Sequence, residues 1–166
     1  MKIRLISTYL LATTTFLCNC TPNSENETNR EYLQKSEIEV LNNQLDEIES
    51  LCQNLILDKY LVYFHKDAMI LPPGQTPKVG IEKIREFLSG FDEVFIPSFV
   101  CQYTERKFEI KDSLAVRQYR SFGKIPYKNS ADTLISDNRY MDVLKKQTDG
   151  SWKIIWQIWN ANNSEQ

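Results

Sequence analysis

The sequence predicts an α+β fold in which two or three N-terminal helices pack on one face of a curved antiparallel sheet. Three observations predict it. Apolar residues first recur at helical spacing, from Ile38 to Leu55. Four runs rich in β-branched and aromatic residues then follow, separated by tight-turn sequences. Between them, His65 to Leu88 packs a short strand, a Pro-Gly turn, a brief return strand and an amphipathic helix into two dozen residues. Helices followed by a strand meander must bury one helix face against one sheet face.

The N-terminus is read separately from the fold. Lys2 and Arg4 precede Leu5 to Leu17, a mostly apolar run too short to span a bilayer. That pattern predicts a secretory signal over residues 1–19. Leu17-Cys18-Asn19-Cys20 resembles a bacterial lipobox, with Leu17 three residues before Cys20. Cys20 is therefore the expected lipid attachment point, which would tie the protein to the cell envelope on the periplasmic side. Residues 20–30 carry no large apolar side chain and are expected to form a flexible tether. The remaining chain, 31–162, is one domain by length.

Within that domain, Ile38, Leu41, Leu45, Ile48, Cys52 and Leu55 fall on one helical stripe. Asp58 to Phe64 reads as a second short helix. Ala68 to Leu71 reads as a strand ended by Pro72-Pro73-Gly74. Val79 begins the return, and Ile81, Ile84, Phe87, Leu88 and Phe91 mark the face of a third helix. Strands are expected at Phe99 to Lys111, Leu114 to Lys124, Ser136 to Gln147 and Trp152 to Asn160. Lys111-Asp112-Ser113 and Thr148-Asp149-Gly150-Ser151 are hairpin turns, and Ile125 to Leu134 is a longer loop.

Composition narrows the function classes. Twenty basic against 22 acidic residues give a net charge of -2, which argues against nucleic acid as a partner. One histidine, His65, and two cysteines beyond the signal region, Cys52 and Cys101, leave no ligand set for zinc or haem. No cofactor is expected. The two cysteines could pair or stay as buried thiols.

The chain resembles the nuclear-transport-factor-2-like superfamily, which includes the ketosteroid-isomerase-like and SnoaL-like domains. The resemblance rests on Asp67-Ala68, Pro73-Gly74, Gly80, Ile84 with Phe87, and the closing stretch Asp149 to Asn160. It covers most of Glu31 to Asn160 and implies a cone-shaped sheet around a pocket. In the ketosteroid isomerases a catalytic Asp ends the first strand; that position here is Pro72, which takes no proton. A helix Tyr of those enzymes falls near Ile48. Their protonated Asp on the penultimate strand matches Asp142, and a Trp on the last strand matches Trp159.

The resemblance therefore implies a pocket without the base that proton abstraction requires. Asp142, Trp159, Tyr119, Tyr140, Tyr103 and Met69 are the candidate pocket residues. Asp142 is either a neutral pocket donor or an exposed or salt-bridged strand residue, opposite Arg117 or Arg120. His65 is either a base at the pocket rim or a surface residue. The expected function is a membrane-anchored domain that binds a small apolar ligand without catalysis. An isomerase, cyclase or hydratase using Asp142, and a structural homodimer with a vestigial pocket, are the alternatives. Trp152, Ile154, Trp156 and Ile158 alternate onto one face of the last strand, and Ile155 and Trp159 onto the other. Without a bulge both faces are apolar, and a second subunit is the expected cover.

Overall fold

The computed structural model describes residues 24–162, with side chains from residue 31 onward. The expected signal segment and lipobox, with Cys20, lie outside the described residues. The first helix, α1, spans Ser24–Gln53. It thus begins seven residues before Glu31, inside the stretch expected to be a tether. Glu and Arg in that stretch are good helix formers, and turns already anchored by packing extend at little nucleation cost. Its buried stripe is Leu41, Leu45, Ile48 and Leu51. The helix ends where Leu55 adopts a left-handed φ of 53°. The Ile56 N–H bonds the Leu51 carbonyl and the Leu55 N–H bonds that of Cys52, closing the last turn.

Helix α2 covers Leu57–Leu61 and is shorter than expected. The first strand, β1, starts at Phe64 and runs to Leu71, because Phe64 pairs with Ile154 of the last strand. His65 is therefore a strand residue. Strand β2, Lys78–Val79, returns antiparallel to β1. Helix α3, Ile81–Leu88, buries Ile84. Gly90, at φ 88°, breaks it from α4, Phe91–Val94, so Phe91 does not continue the α3 face.

The meander consists of β3 (Val100–Lys111), β4 (Leu114–Pro126), β5 (Thr133–Lys146) and β6 (Trp152–Ala161). The six strands lie in the order β2-β1-β6-β5-β4-β3. Every pair is antiparallel except β1 with β6, which run parallel. The sheet is therefore mixed rather than wholly antiparallel: the hairpins β3 to β6 separate β1 from the strand it joins.

Two features curve the sheet around the helices. The pairing of β5 with β6 shifts between Val143 and Leu144, so Leu144 faces Ile154 while Val143 faces Trp156. Ile155 is the extra residue of that bulge. It overturns the unbroken alternation expected for β6. Trp152, Ile154 and Gln157 are buried, whereas Trp156 is 54% exposed on the outer face. The second feature is Gly123 on β4. A Cβ there would lie 2.9 Å from the Val100 carbonyl oxygen, so only glycine lets β3 approach so closely.

The core lies between α1, α2, α3 and the concave sheet face. Leu41, Ile48, Leu61, Phe64, Ile70, Ile84, Leu144, Trp152 and Ile154 pack there. The Trp152 indole donates to Glu37 Oε2 at 2.7 Å, and Lys146 pairs with the same carboxylate. These bonds hold Glu37 below the ordinary carboxylate range and fasten α1 to the β5–β6 hairpin. Among the described residues, no helix is long and apolar enough to cross a membrane.

Candidate functional site

Strand pairing builds the concave face rung by rung. On β4 and β5 the inward pairs are Ala115 with Leu144, Arg117 with Asp142, Tyr119 with Tyr140, and Ser121 with Asn138. The sequence of β4 alternates in phase with this, so each second residue is buried.

The Arg117–Asp142 rung is closed. Both side chains are 0% exposed. Arg117 donates to Asp142 Oδ2 from Nε at 3.0 Å and from Nη2 at 2.6 Å. Gln157 Nε2 donates to the other carboxylate oxygen at 2.9 Å, and Gln44 of α1 accepts from Arg117 Nη1 at 3.1 Å. Asp142 thus spends both oxygens on the protein and does not line the cavity. The reading of Asp142 as a pocket donor fails, and its ion pair with Arg117 replaces it. Two full charges can be this deeply buried only because each is paired and hydrogen-bonded.

The next rungs open into a cavity of about 940 Å³ between the sheet, the C-terminal end of α1, α2 and the α3–α4 corner. Tyr103, Tyr119, Tyr140 and Trp159 all line it. They form one row of rings across β3, β4, β5 and β6. Successive centroids lie 4.9, 5.0 and 5.5 Å apart, and the Tyr119–Tyr140 rings are parallel to within 3°. Phe87 of α3 meets Trp159 at 6.3 Å and closes that side. Each such contact stabilises by about 0.5–1.5 kcal/mol beyond the area it buries.

Met69 is not part of this wall. It pairs with Val79 and Trp156 and shares the outer face with Trp156, because residues 68 and 70 take the inward positions. His65 also lies away from the cavity, its Nδ1 accepting from the Asp67 N–H at 3.2 Å. Pro72 is buried at the end of β1 and Ile48 is buried on α1.

Several lining residues were not singled out from the sequence. Tyr60 of α2 donates to Gln157 Oε1 at 3.4 Å and joins the cavity wall to the buried rung. Gln157 sits two residues before Trp159 on the same strand face, so period-two counting from Trp159 would have found it. Leu55, expected on the helical stripe of α1, enters instead through the left-handed turn that ends the helix.

The cavity interior is poor in charge. Cys52 and Cys101 are free thiols on its wall. Burial pushes Cys52 up to about 12 and also raises Cys101, whose Sγ lies 3.2 Å from Ser121 Oγ. Burial likewise raises Tyr60, Tyr103, Tyr119 and Tyr140 above the ordinary phenol range. The carboxylates that reach the cavity, Asp58 and Asp92, stand exposed at its mouth, and Asp58 is paired with Arg85.

No family model matches the chain, and no curated protein sequence is similar to it. Solved structures are similar in shape. A scytalone dehydratase-like protein from Novosphingobium aromaticivorans superposes with a TM-score of 0.71 at 12% identity, covering 78% of this chain and 86% of that one. A hexachlorocyclohexane dehydrochlorinase of LinA-type3 from Novosphingobium barchaimii gives 0.65 at 12%, over 78% and 90% of the two chains. A ketosteroid isomerase-like protein from Erwinia carotovora atroseptica gives 0.61 at 14%, over 72% and 93%. Helices on one face of a curved six-stranded sheet, hollow at one end, give this chain the same cone-shaped fold as these ketosteroid isomerase-like structures.

Proposed function

We propose that the domain binds a small, largely apolar molecule in its cavity without transforming it, held at the cell envelope by a lipid on Cys20. The observation that carries this reading is a roomy, aromatic cavity whose described interior residues include no carboxylate or imidazole, while burial keeps its thiols and phenols protonated. Abstraction or delivery of a proton needs a titratable group within hydrogen-bond reach of the reacting atom. Asp142 is committed to Arg117 and Gln157, Pro72 stands where a base would, and His65 points elsewhere. The remaining carboxylates are solvated at the mouth. Pockets of this size and apolar character are the usual form of small-ligand sites.

The neutral dye N-phenyl-1-naphthylamine tests the binding reading. It gains fluorescence when it leaves water for an apolar cavity. The soluble domain should bind it, and Ser136→Trp, which places a bulky ring on the cavity wall, should abolish binding while leaving the melting temperature within a few degrees. Equal binding by both proteins would sink the idea. Fatty-acid labelling in cells that persists in Cys20→Ala would remove the anchor.

The outer sheet face supports a homodimer. Val116, Met141, Trp156 and Ile158 stand exposed together on adjoining strands β4, β5 and β6. A contiguous apolar patch on a soluble surface marks an interaction site. Light scattering should give twice the monomer mass at micromolar concentration, and a monomer there would reject the dimer.

A further inference from the structure

The cavity offers hydrogen-bond donors without offering charge, and this restricts what it can hold. Tyr119 and Tyr140 are direct cross-strand partners, their rings parallel with centroids 5.0 Å apart. Parallel rings at that distance occupy one another's faces. Each therefore presents its edge and its hydroxyl tip to the open side, away from the sheet. Tyr119 is only 2% exposed. No fully enclosed side-chain nitrogen or oxygen among the described residues lacks a partner. Yet neither hydroxyl bonds to a described protein group, so both reach open space, and that space is the cavity both residues line. Tyr103 differs, since its hydroxyl lies beside the Cys52 thiol.

The charged groups nearest the interior are already committed, and Asp92 stands solvated at the mouth. Arg117 is taken by Asp142 and Gln44. The Gln157 amide donates to Asp142 and accepts from Tyr60. Arg85 at the mouth is paired with Asp58. A carboxylate or ammonium entering the interior would lose its hydration and find no opposite charge, which is strongly unfavourable. A carbonyl or ether oxygen would instead meet two waiting O–H donors. Burial holds both phenols protonated across the physiological range, so they remain donors.

We propose that the Tyr119–Tyr140 pair is an acceptor-recognition site, and that the ligand is an uncharged molecule with an apolar body bearing a carbonyl or ether oxygen. The proposal rests on the binding reading above and names the ligand class for that site.

Three probes of one size test it by isothermal titration calorimetry on the soluble domain at pH 7: 2-acetylnaphthalene, 2-ethylnaphthalene and 2-naphthoate. The ketone should bind roughly tenfold more tightly than the hydrocarbon, the effect of about one good hydrogen bond. Naphthoate should bind more weakly than the ketone and gain affinity as the pH falls toward its own ionisation. Tyr119→Phe/Tyr140→Phe should bring the ketone down to the hydrocarbon while leaving hydrocarbon affinity unchanged. Circular dichroism and the melting temperature confirm that this variant is folded. Equal binding of ketone and hydrocarbon to the unaltered domain would overturn the proposal and leave the binding reading standing. Naphthoate matching the ketone at pH 7 would overturn it too. Failure of all three probes, together with failure of N-phenyl-1-naphthylamine, would bring down both.

Discussion

Arg117 with Asp142 and Tyr119 with Tyr140 are successive inward rungs on the same two strands, two residues apart, yet one is sealed and the other open. Strand pairing treats them alike. What differs is the layer above. Gln44 of α1 reaches down to the Arg117 guanidinium and completes its bonding. Farther along, α1 stops at Gln53, and the left-handed turn at Leu55 carries the chain away from the sheet. The tyrosines are left beneath a gap. A polar group on this face becomes structure or site according to whether the helix still passes over it.

The largest expected effect breaks the sealed rung. Asp142→Ala strands the Arg117 charge in the core and should cost about 3–5 kcal/mol in urea unfolding, while Arg117→Met/Asp142→Leu should recover most of it. A loss under 1 kcal/mol in the single variant would mean that the rung is open to water. Next comes the bend that shapes the cavity. Gly123→Ala drives a Cβ against the Val100 carbonyl and should destabilise by about 1–3 kcal/mol.

The open rung should behave in the opposite way. Tyr140→Phe removes a hydroxyl that no described group uses, so stability should stay within about 0.5 kcal/mol. A larger loss would show that the hydroxyl is structural. The wall thiol sharpens the point chemically: with its pKa pushed up to about 12, Cys52 should resist iodoacetamide at pH 8 in the folded domain and react only on unfolding.

The smallest effect lies outside both rungs. Arg120 and Asn162 hold Asp137 down to about 2, and bonds from Lys146 and Trp152 lower Glu37. Depressed carboxyls stabilise the fold above their unfolded pKa values, near 4. That contribution is lost as pH falls from there toward 2. Melting temperature should drop over that window, and Arg120→Met should flatten the drop.

Much of this was legible in the sequence. The α1 stripe, both hairpin turns and the β3 to β6 runs are local patterns, and the tyrosines fall in phase along them. Asp142 was placed on the right strand, but its role depends on Gln44, 98 residues away, which no local pattern selects, and on Gln157, which is reached only by counting back along β6 from Trp159. Met69 was lost to a phase error in β1, whose irregular pairing with β6 between Phe64 and Met69 hides which residues face inward. The outward Trp156 was lost to the same kind of irregularity in β6.

That bulge at Ile155 has a consequence for how the chain can change length. Counting along β6 without Ile155, Trp152, Ile154, Gln157 and Trp159 still fall on one face. Deleting this residue should therefore straighten the strand and keep its wall intact. A residue added or removed between Trp156 and Trp159 would turn part of the strand inside out, exchanging cavity wall for outer surface. One position in β6 can thus be deleted without changing the phase of the strand, and its neighbours cannot.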